Sequence, residues 1–239
     1  MNTTSKCKKH SIFHDNYQNS LIGVFSFELT SLYGRFLFNS KPKIKAHDKN
    51  LLNLGSGGTY LEGWVNADFF QLPFRPLLKK NIYRRDWELD LRFPLNCDDN
   101  VWDGIFTEHT LEHLYPKQGL QLIQELYRTM KPGAWLRVSV PDLKKYVNYY
   151  FGQKIHEKFN RWETGCEAIR TLTQDYFHVS LWDGELLAKC LNESGFINIQ
   201  EVSFMKGTDI SLLKDREDRA WETLYMEAQK PISGKLVCS

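Results

Sequence analysis

Apolar residues recur at helical spacing through Leu21, Ile22, Phe25, Leu29, Leu32, Tyr33, Phe36 and Leu37. That period predicts one amphipathic helix. A polar, lysine-rich connector with a proline follows, NSKPKIKAHDKN (39–50), so residues 1–46 read as an extension ahead of the main domain. Beyond it, short apolar runs alternate with helical stretches. LLNLG (51–55) ends in glycine and has the style of a buried parallel strand. WVNAD (64–68) is a second strand, NIYRRDWELD (81–90) carries a weaker third, and VWDGIF (101–106) is a fourth. KQGLQLIQELYRTM (117–130) puts Leu120, Ile123, Leu126, Tyr127 and Met130 on one helical face, and Pro132-Gly133 stops it. AWLRVSV (134–140) is a fifth strand, closed by Pro141. DGELLAKCLNESG (183–195) is a helix with glycine at its end, and FINIQEVSF (196–204) and TLYMEAQ (223–229) alternate as strands, the second antiparallel.

Strands alternating with helices predict an α/β domain over 47–230, built on a doubly wound, mostly parallel seven-stranded sheet with an antiparallel last strand. Residues 143–178, aromatic and charged, read as an insertion or lid over the sheet's edge, and 231–239 as a C-terminal tail.

Composition narrows this little. With 42% hydrophobic and 25% charged residues the chain is ordinary for a globular protein, and a net charge of +2 gives no argument for nucleic acid. Cys7, Cys97, Cys166, Cys190 and Cys238 are odd in number and contain no C-x-x-C, which disfavours a disulfide framework and points to a reducing cytoplasm. The N-terminus has basic residues without an apolar run behind them and does not read as a secretory signal. Glu28 and Arg35 interrupt the apolar segment 21–38, against a membrane span. The first 50 residues hold eight Lys and Arg against three Asp and Glu. The helix is expected to cap the domain, with peripheral contact to an anionic membrane through 21–38 as the alternative.

The richest segment is LNLGSGGTYLEGWVNAD. A buried strand runs into Gly55-Ser56-Gly57-Gly58, and Asp68 ends the next strand. In a doubly wound sheet, glycines and acid then meet at the carboxyl edge, where ligands bind. Glycine lets the backbone approach a ligand closely, and a carboxylate can accept two hydrogen bonds from a ribose diol. A dinucleotide site wants G-x-G-x-x-G opening a helix whose N-terminus holds pyrophosphate. Position 60 is Tyr, and 59–63 are too few for a helix. A nucleoside-like cofactor without phosphates, S-adenosylmethionine, fits better.

The chain resembles the class I S-adenosylmethionine-dependent methyltransferases, in the broad group whose fourth-strand motif ends in LEHL. LNLGSGG, NAD (66–68), LDLRFPL, WDGIFTEHTLEHL, LYRTMKPGAWLRVSVPD and LLAKCLNESGFINIQEVSF resemble successive motifs of the family across 50–230. The resemblance implies a Rossmann-like fold and S-adenosylmethionine as cofactor. It implies that Gly55 and Gly57 line the methionine moiety, Asp68 the ribose, Asp90 and Leu91 the adenine, that Ser56 and Glu108 also belong to the cofactor site, and that Glu108 and His109 face the reaction centre. The helix usual between the first two strands has almost no counterpart here, so another element, such as the N-terminal helix, is left to cover that side.

His109, Glu112 and His113 also spell H-x-x-E-H, a zinc-hydrolase signature when it lies on one helix. The strand before it and Pro116 after it argue instead for a strand-to-helix connection, with the helix starting near 116. No metal site is expected, and Glu112 and His113 are read as bonding local backbone. Methyl transfer to a hydroxyl or amine calls for a general base. The candidates are His109, His178 at the exit of the insertion, and Asp142 after the fifth strand, which could equally cap a helix over 143–150. The expected activity is methyl transfer to a small-molecule or glycan acceptor. The alternatives are a non-catalytic S-adenosylmethionine-binding protein, an NAD-dependent oxidoreductase or a zinc hydrolase.

Overall fold

The computed structural model of the chain describes residues 21–71 and 83–232. Residues 1–20 of the extension with Cys7, the first two residues of the third strand segment, and 233–239 with Cys238 lie outside the described residues.

Among the described residues seven strands occur: β1 (Leu51–Leu54), β2 (Val65–Asp68), β3 (Trp87–Glu88), β4 (Trp102–Glu108), β5 (Met130–Pro141), β6 (Ile197–Val202) and β7 (Thr223–Gln229). They form one sheet in the order β3-β2-β1-β4-β5-β7-β6. Pairing is parallel from β3 through β5, and β7 runs antiparallel to both β5 and β6. The helices are α1 (Leu21–Leu37), α2 (Pro116–Thr129), α3 (Leu143–Tyr150), α4 (Gly165–Gln174) and α5 (Gly184–Glu193). Pro116 takes the first turn of α2, where its missing N–H costs nothing, and the Asp183 carboxylate accepts from Leu186 N–H to start α5.

The strands' alternation gives the sheet two unlike faces. Leu52, Leu54, Ile105, Leu136, Val138 and Met226 share a continuous core with Leu122, Ile123 and Leu126 of α2 and Leu187 and Leu191 of α5. Asn53, Asn66, Arg137 and Glu227 are also buried, and each finds polar partners. The two asparagines replace the helix absent between β1 and β2. Asn53 Nδ2 donates to Thr59 O and to Asn66 Oδ1, and Asn66 Oδ1 accepts from Leu61 N–H. Side-chain amides thus satisfy a connecting loop that has no helical ladder of its own. Arg137 is fully buried on β5. It bonds both oxygens of Asp215 and Glu227 Oε1, and donates to Lys206 O and Ser203 O, so one side chain pins 203–215 to the sheet.

α1 lies against the β2 and β3 ends with its small residues inward. A Cβ on Gly34 would fall 2.1 Å from the Phe70 ring, and Ser31 Oγ donates to Asp90 Oδ2 at 2.6 Å. Phe27 stacks on Phe69 at 4.4 Å between centroids, and Arg92 joins Asp90 to Glu28. Phe25, Leu32, Phe36 and Leu37 point outward and are exposed. The apolar stripe expected to cap the domain is therefore largely turned away from it. Among the described residues no helix is long and apolar enough to cross a membrane. Over the sheet's edge, Tyr146, Phe159, Ala168, Leu172 and Trp221 form a second core, so the aromatics of 143–178 serve packing first.

Removing one partner of a buried ion pair leaves an uncompensated charge. Arg137→Met is expected to lower unfolding free energy by ~3–5 kcal/mol, read by urea denaturation. Unchanged stability would contradict the pinning role.

Candidate functional site

Strand order reverses at β1, whose neighbours β2 and β4 lie on either side. The chain leaves the two strands β1 and β4 in opposite directions, and a crevice opens at their carboxyl ends. It holds a cavity of about 450 Å³. Gly55, Ser56, Gly57, Asp68, Asp90, Leu91 and Glu108, all expected at a cofactor, line it together with His109.

Each contributes differently. Gly57 has φ 51°, and a Cβ there would meet nothing within 4 Å, so its backbone faces open space. Gly55 has φ 69°, and a Cβ would lie 2.2 Å from Thr110 Oγ1. Its bareness serves the approach of the β4 loop. Ser56 Oγ is buried without a hydrogen-bond partner among the described residues. The Asp68 carboxylate accepts from Gly57 N–H and from Phe69 N–H, which fixes the glycine loop to the end of β2. Asp90 accepts from Ser31 Oγ and from the backbone and guanidinium of Arg92. Burial pushes its carboxyl up, but these bonds outweigh it and hold it below the usual range. Any contact from Asp90 to a ligand comes on top of these bonds. Burial raises Glu108, against the Arg216 N–H that donates to it. Phe27, Phe69, Arg216 and Arg219 also line the cavity, and the sequence pattern did not single them out for the site.

A second cavity of about 540 Å³ adjoins the first, and His109, His113, Tyr176, Phe177 and Arg219 border both. Glu112, Tyr146, Arg161, His178, Trp221 and Glu222 line its far side. The backbone is strained along the shared wall: His109, Tyr176 and Phe177 have φ of 50°, 59° and 63°. Thr223 Oγ1 donates to Arg219 O and so accepts from His109 Nε2–H at 2.8 Å, which leaves the lone pair on Nδ1. Burial, then the positive charge of Arg219, pushes His109 well below its ordinary value and keeps the ring neutral.

Residues 111–113 form a single tight 3-10 turn, and His109 stands before it in a left-handed conformation. His109 and His113 therefore do not share a helical face, as the H-x-x-E-H zinc arrangement requires. Glu112 does not bond local backbone as expected. Neither oxygen has a hydrogen-bond partner outside its own residue among those described, and burial raises the carboxyl to about 8. Burial likewise lowers His113 to about 4. Asp142 lines neither cavity. Its carboxylate accepts from Lys144 N–H and caps α3, the alternative its position after β5 suggested.

No family model and no curated protein matches the chain. Solved structures align with it over most of its length. An S-adenosylmethionine-dependent methyltransferase from Mesorhizobium loti aligns with TM-score 0.49 and 16% identity over 76% of this chain and 90% of that one. One from Archaeoglobus fulgidus gives 0.48 and 16% over 88% and 100%. Phosphoethanolamine N-methyltransferase 2 of Haemonchus contortus, in complex with S-adenosyl-L-methionine, gives 0.45 and 15% over 91% and 59%.

The two glycines should separate experimentally. Gly57→Ala meets only the left-handed penalty, ~1–2 kcal/mol, whereas Gly55→Ala adds overpacking of ~1–3 kcal/mol against Thr110. Denaturation of the single variants and of Gly55→Ala with Thr110→Ala, which removes both the hydroxyl and the methyl that a Cβ would meet, tests this. Equal costs for both glycines would contradict the contact.

Proposed function

We propose that the chain is an S-adenosylmethionine-dependent methyltransferase acting on a hydroxyl or amine of a small-molecule or glycan acceptor. One observation carries the reading. A glycine loop and a strand-end acid meet in a single cavity at the switch point, and 55–64 contain no helix whose N-terminus could seat a pyrophosphate. This favours a nucleoside cofactor without phosphates over NAD.

The residues fit such a ligand. Ser56 Oγ is a buried hydroxyl with bonding capacity unspent, Gly57 offers open backbone, and the Asp68 oxygens, each accepting one N–H, keep lone pairs for a ribose diol. The bound cofactor would supply an electrophilic methyl on a sulfonium. The protein's share is to orient the acceptor, exclude water and take a proton. The second cavity supports acceptor binding: Tyr146 and Trp221 give apolar faces, and Arg161, Arg219 and Glu222 give polar anchors, a mixture suited to a hydroxylated molecule. An acceptor held there reaches the first cavity across His109 and Phe177. The acceptor, on giving up its hydroxyl or amine proton, would need a base of this chain to take it. Neutral His109, with its lone pair on Nδ1, is the base we assign, with His178 second.

Three outcomes test the reading. S-adenosylhomocysteine at 100 times its Kd should stabilise the protein by ~2.7 kcal/mol in thermal denaturation; a shift with NAD alone would contradict it. Asp68→Ala should weaken S-adenosylhomocysteine binding by ~1.5–3 kcal/mol in calorimetry, and unchanged binding would remove the acid from the site. His109→Ala should bind S-adenosylhomocysteine nearly as the parent does but turn over ~10²–10⁴ more slowly. Full turnover would show that His109 is not the base.

A further inference from the structure

Glu112 and His113 in the second cavity have no task in methyl transfer, and His178 beside them only a secondary one. Glu112 is 2% exposed, and neither carboxylate oxygen has a partner outside its own residue among those described. Water does not solvate it and no hydrogen-bond donor of another described residue replaces water, so as a charged carboxylate it costs several kcal/mol. It answers that cost by holding a proton up to about pH 8, with its own backbone N–H and the charge of Arg219 opposing this, or by meeting a bound cation. Two imidazoles stand close to it. His109 Nδ1 is 3.5 Å and His113 Nε2 4.0 Å from Glu112 Oε1, and the His178 ring meets that of His113 edge-on at 5.0 Å. One ligand atom each from Glu112, His113 and His178 lies within 4.8 Å of the other two.

His178 reaches this place through special backbone. The two residues before it, Tyr176 and Phe177, are both left-handed, which suggests that the position of its ring is imposed at some energetic cost. Its Nδ1 is 2.8 Å from Leu172 O and must donate there, so the neutral ring carries its lone pair on Nε2. A backbone carbonyl fixing one imidazole nitrogen so that the other can ligate is how metal-binding histidines are commonly held.

We propose that Glu112, His113 and His178 bind one divalent transition-metal ion of the zinc class, with an open coordination position facing the second cavity. All three residues line that cavity. Two imidazoles and one carboxylate are the donor set of catalytic zinc sites, whereas magnesium and calcium take oxygen ligands. Ligands ~2.0–2.2 Å from zinc stand ~3.3 Å apart, so the three groups must close from at most 4.8 Å by side-chain rotation. The assignment differs from the H-x-x-E-H reading. The third ligand is His178, brought in by the insertion, in place of His109, whose Nε2–H is committed to Thr223. The site stands independently of the methyl-transfer reading, because its test uses neither cofactor nor acceptor.

The test uses the full chain, stripped with a chelator and given Zn²⁺ or Co²⁺. Elemental analysis after desalting should find one zinc per chain, Co²⁺ should show visible d–d bands, and the melting temperature should rise with either ion. Glu112→Gln and His178→Ala, each checked for folding by circular dichroism, should bind zinc at least ~10–100-fold more weakly and lose the cobalt bands. A wild-type chain that retains no zinc at micromolar free ion overturns the proposal without recourse to variants. So does zinc that folded variants of both kinds retain, which would place it on other histidines.

Discussion

Ten residues join β1 to β2, and they hold no helix. Much of the site follows from that constraint. A loop without a helical ladder needs other partners for its backbone, and Asn53 and Asn66 provide them from inside the sheet. Buried amides on one face leave that face unsuited to a purely apolar layer. The side of the crevice that a helix would cover is closed by α1, through Phe27 stacked on Phe69 and through the Ser31–Asp90–Arg92–Glu28 chain of bonds. A seat for pyrophosphate is missing for the same reason, so the short connection shapes both the wall of the cavity and the class of ligand it suits.

Burial then sets the electrostatics. Glu108, Glu112 and Glu222 are all raised by desolvation, and His109 and His113 are lowered by it. Carboxyls pushed up beside imidazoles pushed down describe a poorly solvated seam between two cavities, where charges act strongly and water is scarce. Such a seam suits a displacement that must exclude water, and it also gives a cation at Glu112 more to stabilise than it would have at the surface. The strained backbone at His109, Tyr176 and Phe177 lies along the same seam.

Local signals in the sequence carried the framework. Pro116 marked the start of α2, Gly55 the end of β1, and the alternation of 223–229 the antiparallel strand. The seven cofactor candidates converge because strand ends at a switch point converge in any sheet of this order. Contacts between distant segments left no such trace. Glu112 and His178 are 66 residues apart, joined only by the path of the insertion. Arg137 reads as a polar interruption in an apolar strand, and only the fold brings Asp215 and Glu227 to it. Arg219 lies in KDREDRAWE, a mixed-charge stretch with the look of a solvated loop, yet it borders both cavities. The period of α1 was legible, but the direction of its stripe was not, because Ser31 and Gly34 permit a closer approach than the apolar residues do.

We read the switch-point cavity as a nucleoside site opening toward an acceptor cavity. A crystal structure with S-adenosylhomocysteine tests it most directly. The ribose hydroxyls are expected on Asp68, the adenine beside Leu91, and the sulfur directed at the wall shared by His109 and Phe177. Ligand bound away from the 55–59 loop, or with its sulfur turned from the second cavity, would contradict it.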